Sequence, residues 1–62
     1  MYIVKFIYKN KTYKKFHYYK SQDAISCMKL AVNKRFELYD NIQLIYLTEN
    51  KKEILIIETR VE

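Results

Sequence analysis

The chain contains no glycine, no proline and no tryptophan, and it has a single cysteine, Cys27. Average usage would supply about four glycines and three prolines in a chain of this length. Without glycine, the usual glycine-rich loops that cradle the phosphates of nucleotides are excluded. One cysteine cannot form an intramolecular disulfide, and with His17 it supplies too few soft ligands for a structural zinc site. We therefore expect neither a metal nor a cofactor.

The residue types that replace glycine and proline bear on the origin of the chain. Lysine, isoleucine, tyrosine and asparagine are abundant and have AT-rich codons, which favours a phage or another mobile element with a low-GC genome. A lone cysteine and a start without a secretory leader predict a reducing compartment. The longest aliphatic run, 54–57, is far shorter than the ~20 residues of a membrane helix. We expect a soluble protein in the cytoplasm, or in the host cytoplasm if phage-encoded, with no membrane partner.

The positive charge is concentrated near the N-terminus. The formal net charge is +5, and the first 22 residues contain six lysines and no acidic residue. Five of the seven tyrosines also lie there. The remaining 40 residues are close to neutral, so any electrostatic attraction to an anionic partner is predicted to come from the first third of the chain.

The spacing of apolar residues predicts an α+β domain over 1–62. Apolar residues alternate in the first and last thirds and recur at helical spacing between them. Turns are expected at Asn10-Lys11 and Asn50-Lys51, where asparagine tolerates left-handed backbone angles. Ser21 is expected to cap the helix, and Asp40-Asn41 to end it. The result is a ββαββ fold, a four-stranded antiparallel sheet with one amphipathic helix packed on one face; its strand order stays open. The predicted units are an N-terminal hairpin over 2–19, a helix over 21–38 and a C-terminal hairpin over 42–61.

Each element has a predicted inner side. In the first hairpin either Phe16 and Tyr18 or Tyr13 and Tyr19 could face inward. A three-residue loop would place Phe16 and Tyr18 on the same face as Val4 and Phe6, and this register is preferred. Leu30 falls on the polar side of the helix. The apolar stripe of the helix is predicted to comprise Ala24, Met28, Ala31 and Val32, flanked by Ile25, Cys27 and Phe36.

The second hairpin is apolar on both faces. A two-residue loop would pair Leu47 with Ile54 and Ile45 with Ile56 on one face. The same loop would pair Leu44 with Ile57 and Tyr46 with Leu55 on the other. One helix can cover only one face of a sheet, and large exposed apolar patches mark interfaces. The predicted protein interface, for a partner protein or a second copy in a homodimer, is Ile45, Leu47, Ile54 and Ile56, extended by Ile3 and Ile7.

Catalytic groups are not brought together by the predicted fold. The seven acidic residues are scattered, with no repeated pair. A dyad of Cys27 and His17 is disfavoured because the strand phase puts His17 on the side away from the helix. We therefore expect a protein that is not an enzyme and has no small-molecule substrate.

Three functional hypotheses follow from these features. The leading one is a small non-catalytic protein-binding module, an accessory or inhibitor of phage or mobile-element type acting on a host protein or nucleoprotein complex. The second is a nucleic-acid-binding protein in which lysines contact phosphates and tyrosines stack on bases; its site would comprise Lys5, Lys9, Lys15, Tyr13 and Tyr19. The third is a self-assembling structural protein.

Overall fold

A computed structural model describes residues 1–34 and 39–60. Within them the chain forms four strands and one helix, and the α+β prediction of a ββαββ fold is confirmed. Predicted helical residues 35–38 and strand residue 61 lie outside the described ranges. The elements are β1 (Tyr2–Tyr8), β2 (Tyr13–Tyr18), α1 (Ser21–Lys34), β3 (Tyr39–Leu47) and β4 (Glu53–Arg60).

The strand order, β2-β1-β3-β4, determines where the helix lies. Both β2 and β3 run antiparallel to β1, so they are parallel to each other, and α1 is the connection between them. A helix that joins two strands on either side of a third packs over the middle strand, as in other crossover connections. Accordingly α1 packs against β1, β2 and β3. β4 lies at the end of the sheet, beyond the helix.

The hydrophobic core fills the space between α1 and the sheet. Alternation along β1 directs Val4 and Phe6 towards the helix. Two small helix residues, Ala24 and Ala31, allow the backbones to approach closely. Val32 was predicted to lie in the core but is 42% exposed. The helix lies over β1, and Val32 is on a side of the helix that the sheet does not cover. The core cluster comprises Val4, Phe6, Ala24, Met28, Ala31, Tyr39, Ile42 and Leu44.

The first hairpin has the predicted three-residue loop. The Tyr8 N–H donates to the Thr12 carbonyl at 2.8 Å, and Val4 lies opposite Phe16. The left-handed residue is Lys11, with φ of 74°, rather than asparagine. Asn10 instead accepts hydrogen bonds through its Oδ1 from the Thr12 N–H at 3.1 Å and the Thr12 hydroxyl at 2.6 Å. This use of an asparagine side chain to brace a turn was not predicted.

The second hairpin turns in the same way, and its predicted two-residue loop is wrong. The Thr48 N–H donates to the Lys52 carbonyl at 3.0 Å, so the loop again has three residues, and Lys51 is left-handed with φ of 62°. Leu47 therefore lies opposite Glu53 rather than Ile54. The observed pairs next to the turn are Leu47–Glu53, Tyr46–Ile54 and Ile45–Leu55.

A β-bulge restores the predicted register further along. Between Leu55 and Ile57, Ile56 is an extra residue without its own partner on β3, and Leu44 then pairs with Ile57 as expected. A slip of one residue moves a side chain to the other face of a sheet. Ile54 consequently lies on the helix side with Tyr46, and Leu55 lies on the opposite side with Ile45.

Two predicted boundaries are also corrected. The Ala24 N–H donates to the Lys20 carbonyl at 3.3 Å, so Lys20 takes the N-cap position predicted for Ser21. Asp40 and Asn41 were expected to end the helix, but they lie within β3. There Asp40 forms a second bulge, because Tyr8 pairs with Tyr39 while the preceding residue of β1 pairs with Asn41.

Tyr39 fastens the helix to the sheet. Its ring lies in the core, 4% exposed, and its hydroxyl donates a buried hydrogen bond of 2.8 Å to the Ala31 carbonyl. We expect Tyr39→Phe to lower the free energy of unfolding by about 1 kcal/mol, because the carbonyl loses a buried partner. Urea denaturation measures this change. Tyr19→Phe is the control, since Tyr19 is 86% exposed and its replacement should leave the midpoint unchanged. An unchanged midpoint for Tyr39→Phe would show that the hydroxyl does not stabilise the fold.

Candidate functional site

The face of the sheet opposite α1, called here the open face, is lined by charged and aliphatic side chains in cross-strand rows. The strand registers place Ile3 opposite His17 and Ile45, and Lys5 opposite Lys15 and Gln43. In the central part of the sheet the side chains on the open face are those of Ile3, Lys5, Ile7, Tyr13, Lys15, His17, Gln43, Ile45, Glu53, Leu55 and Glu58.

An ion pair spans the middle of the open face. Lys15 on β2 donates from Nζ to Glu53 Oε2 on β4 at 2.8 Å, although β1 and β3 separate the two strands. The register places the Ile3–Ile45 pair between these two residues. The right-handed twist of a sheet brings diagonally opposite corners of a face together, which allows so long a reach. Ile3 is 1% exposed and Ile45 is 4% exposed, so the chain itself covers both.

This ion pair shifts two ionisation equilibria. The hydrogen bond from Lys15, reinforced by its charge, lowers the pKa of Glu53 below the ordinary value of 4.5. The same hydrogen bond raises the pKa of Lys15 above 10.5. Both groups are therefore charged at neutral pH, and the bridge is present.

The pH dependence of stability tests the bridge. A lowered acid pKa gives stabilisation that is complete above the unfolded value near 4.5 and is lost as pH falls through the lower folded value. We expect wild type to be more stable than Glu53→Gln at pH 7 and the difference to vanish in acid. Urea midpoints across this pH range measure it. Glu49→Gln, in the exposed turn, is the matched control and should follow wild type. A difference that stays constant down to strongly acidic pH would contradict the bridge.

The structure brings together three of the five residues predicted to bind nucleic acid. The Lys5 Nζ lies 4.6 Å and the Lys15 Nζ 5.8 Å from the centre of the Tyr13 ring, which is stabilised by cation–π attraction. Lys9 is exposed in the first turn. Tyr19 follows β2 at the end away from that turn and is 86% exposed. The predicted set is therefore one cluster and two separate residues.

The six residues predicted to form a protein interface do not share one surface. Ile3 and Ile45 are buried, and Ile7 and Leu47 are half-buried on the open face. Ile54 lies on the helix side because of the three-residue turn, and Ile56 occupies the bulge. The expectation that Ile45 is left exposed is wrong, since it is 4% exposed within a single subunit.

Among the described residues, the longest run of exposed aliphatic side chains lies instead in β4. Four consecutive residues are each about half exposed, Ile54 at 47%, Leu55 at 52%, Ile56 at 48% and Ile57 at 46%. We call these four residues the β4 surface. Sequence reasoning included Ile54 and Ile56 but assigned Leu55 and Ile57 to the helix-covered side. The run of four aliphatic residues was the available signal, since a strand with one buried and one solvated face should alternate.

A groove beside the helix adjoins the β4 surface. It has a volume of about 260 Å³ and lies between α1 and β4, with apolar walls that include Ile25, Val32 and Ile57. Ile25 is 38% exposed. The remaining lining residues are Met28, Lys29, Asn33 and Thr59.

A smaller groove lies on the other side of the helix. It has a volume of about 180 Å³ and is lined by Phe16, Tyr18, Cys27 and Leu30 among others. A hydrogen bond between Tyr18 and Cys27, with burial, raises the pKa of Tyr18 to about 12. The phenol therefore stays protonated at neutral pH. His17, as expected, faces the open side and lies across the sheet from Cys27.

Within residues 1–34 and 39–60, no three histidine, cysteine or acidic side chains are grouped as a metal ion would require. In the same residues no helix has the length and apolarity needed to cross a bilayer. Comparison with models of known families, with curated proteins and with solved structures finds no match for this chain.

Proposed function

We propose that this protein is a small non-catalytic protein-binding module whose docking site is the β4 surface. The observation that supports it most is the half exposure of four successive aliphatic side chains. Covering a large aliphatic side chain completely is worth about 1.5–3 kcal/mol. Covering the exposed halves of four such residues then contributes roughly 3–6 kcal/mol towards association.

The backbone of β4 supports the same proposal. β4 is at the end of the strand order, so among the described residues its outer N–H and C=O groups face no other strand. Such a strand is a template for pairing with an extended segment of another chain. Main-chain hydrogen bonds would give affinity, and the aliphatic side chains above and below would give additional buried area.

The opposite edge of the sheet is protected against such pairing. β2 has the sequence YKKFHY, with Lys14 and Lys15 in its centre. Lysines on an edge strand disfavour pairing because their charges must stay hydrated. The contrast between a lysine-rich edge and an aliphatic edge favours β4 as the docking strand.

Nucleic-acid binding is the second candidate, favoured by the cluster of Tyr13, Lys5 and Lys15. Two features weigh against it. The ammonium of Lys5 lies against the Tyr13 ring, on which a base would need to stack, and Lys15 is paired with Glu53. The lysines of β2 and the first turn are better explained as groups that keep this edge hydrated.

The proposed setting is that of a phage or mobile-element accessory protein acting in the cytoplasm, where it would inhibit a host protein or nucleoprotein complex. Its support is compositional, namely a chain with AT-rich codons and without glycine or proline. Small size suits a protein that acts by occupying a surface of a larger partner.

Affinity capture from the native host tests the docking site. Tagged wild type, Ile57→Lys and Leu30→Lys would be compared, with a differently tagged copy co-expressed and with lysates divided for nuclease treatment. Ile57 and Leu30 are isomeric and similarly exposed, at 46% and 57%, but Leu30 lies on α1 away from β4. We expect proteins, including any second copy, to be recovered by wild type and Leu30→Lys after nuclease and to be lost with Ile57→Lys.

Two results would contradict the proposal. One is recovery that Ile57→Lys retains in full while its circular dichroism and urea midpoint match those of Leu30→Lys. The other is recovery that depends entirely on nucleic acid, which would favour the second candidate.

A further inference from the structure

The outward backbone groups of β4 can be identified from the hydrogen-bond alternation of the sheet. Thr48 bonds to Lys52 across the hairpin, so every second residue from there along β4 directs its N–H and C=O towards β3. Ile54 therefore points inward, and Glu53 and Leu55 point outward. After the bulge, Ile57 pairs with β3, and the outward residues become Glu58 and Arg60. The same four residues carry their side chains on the open face.

These four positions are symmetric about the midpoint between Ile56 and Ile57. Glu53 and Leu55 precede this point, and Glu58 and Arg60 follow it at matching distances. An antiparallel pair of identical strands related by a two-fold axis requires such symmetry, because outward groups must meet outward groups and side chains must meet on the same face.

We propose that the occupant of the β4 surface is a second copy of this chain, with the two β4 strands paired antiparallel about an axis between Ile56 and Ile57. This inference rests on the proposed function of the β4 surface and names its partner. In this register Glu53 lies opposite Arg60 of the partner subunit. Leu55 lies opposite Glu58 of the partner subunit, and the two-fold axis repeats each pair. The two four-stranded sheets would join into one sheet of eight strands.

Charge complementarity selects this register. It forms two pairs of opposite charge between Glu53 and Arg60 of the partner subunit, one at each end of the junction. A register shifted by two residues would place Glu53 opposite Glu58 of the partner subunit, and like charges directly opposite are destabilising. Glu53 bonds Lys15 through Oε2, and a carboxylate has a second oxygen that accepts hydrogen bonds. One acidic side chain thus serves the bridge within the subunit and the pair between subunits.

The aliphatic residues meet at the centre of the junction. Ile56 lies opposite Ile57 of the partner subunit, and Ile54 opposite Thr59 of the partner subunit. Side chains that are half exposed in one subunit gain apolar neighbours from the other. The grooves between α1 and β4 flank the junction on the helix side of the joined sheet.

Paired charge reversals test the register. Each of Glu53→Arg and Arg60→Glu replaces two favourable pairs by two repulsive ones, and we expect each to weaken dimerisation by about tenfold or more in sedimentation equilibrium. An equimolar mixture of the two variants restores opposite charges at both positions. We expect this mixture to form heterodimers with close to wild-type affinity. The control Glu49→Arg, in the turn outside β4, should dimerise like wild type.

The outcomes separate this inference from the proposed function. A wild type that stays monomeric at all concentrations would overturn self-pairing, and so would a mixture that remains as weak as its components. If capture still recovers other proteins through Ile57 but no second copy, the docking site stands and its occupant is a different chain. If Ile57→Lys alters neither capture nor sedimentation, both ideas fail together.

Discussion

The crossover from β2 to β3 is the constraint on which the rest of the structure depends. It leaves one 14-residue helix to cover a sheet of four strands, and it places that helix over β1. Strands are spaced by about 4.8 Å, so the two outer strands are roughly 14 Å apart, while a helix with its side chains is about 10–12 Å wide. A helix centred over β1 reaches β2 and β3 but not β4. The exposure of β4 is therefore a consequence of topology.

The open face of the sheet differs from the face that the helix covers. No element of the described chain packs there, and the aliphatic pair at its centre, Ile3 and Ile45, is nevertheless buried. The ion pair between the two edge strands spans this part of the face, and the twist of the sheet brings the diagonal corners together. Only side chains in the middle of the open face are shielded from solvent in this way. The apolar surface left for a partner is concentrated on the last strand.

Much of the fold could be predicted from local patterns, because these patterns act over a few residues. Alternation in β1 and helical spacing around Met28 identify the elements and most of the core. The register of the second hairpin could not be predicted, since two- and three-residue loops both fit around Asn50-Lys51. Lysine at the left-handed positions, in a chain without glycine, gives no sequence signal. The bulge at Ile56 also has no sequence signal, because it depends on pairing with β3 rather than on residue type.

That register determined how much of the candidate site could be found. The loop is one residue longer than predicted, so Ile54 and Leu55 each lie on the face opposite to the predicted one. The predicted patch on one face of the sheet is therefore replaced by an exposed strand. The ion pair across the open face joins Lys15 and Glu53, which are 38 positions apart in sequence and which no local pattern links. What the composition indicated correctly is that aliphatic residues exceed what one helix can cover.

Residue-resolved hydrogen exchange on β4 tests most directly whether this uncovered strand binds a second copy. The amides of Leu55 and Glu58 point away from β3, so no described strand of a single subunit protects them. We expect their exchange to slow as protein concentration rises, while the outward amides of Tyr13 and Lys15 on β2 exchange rapidly throughout. Rapid exchange of Leu55 and Glu58 at every concentration would contradict it.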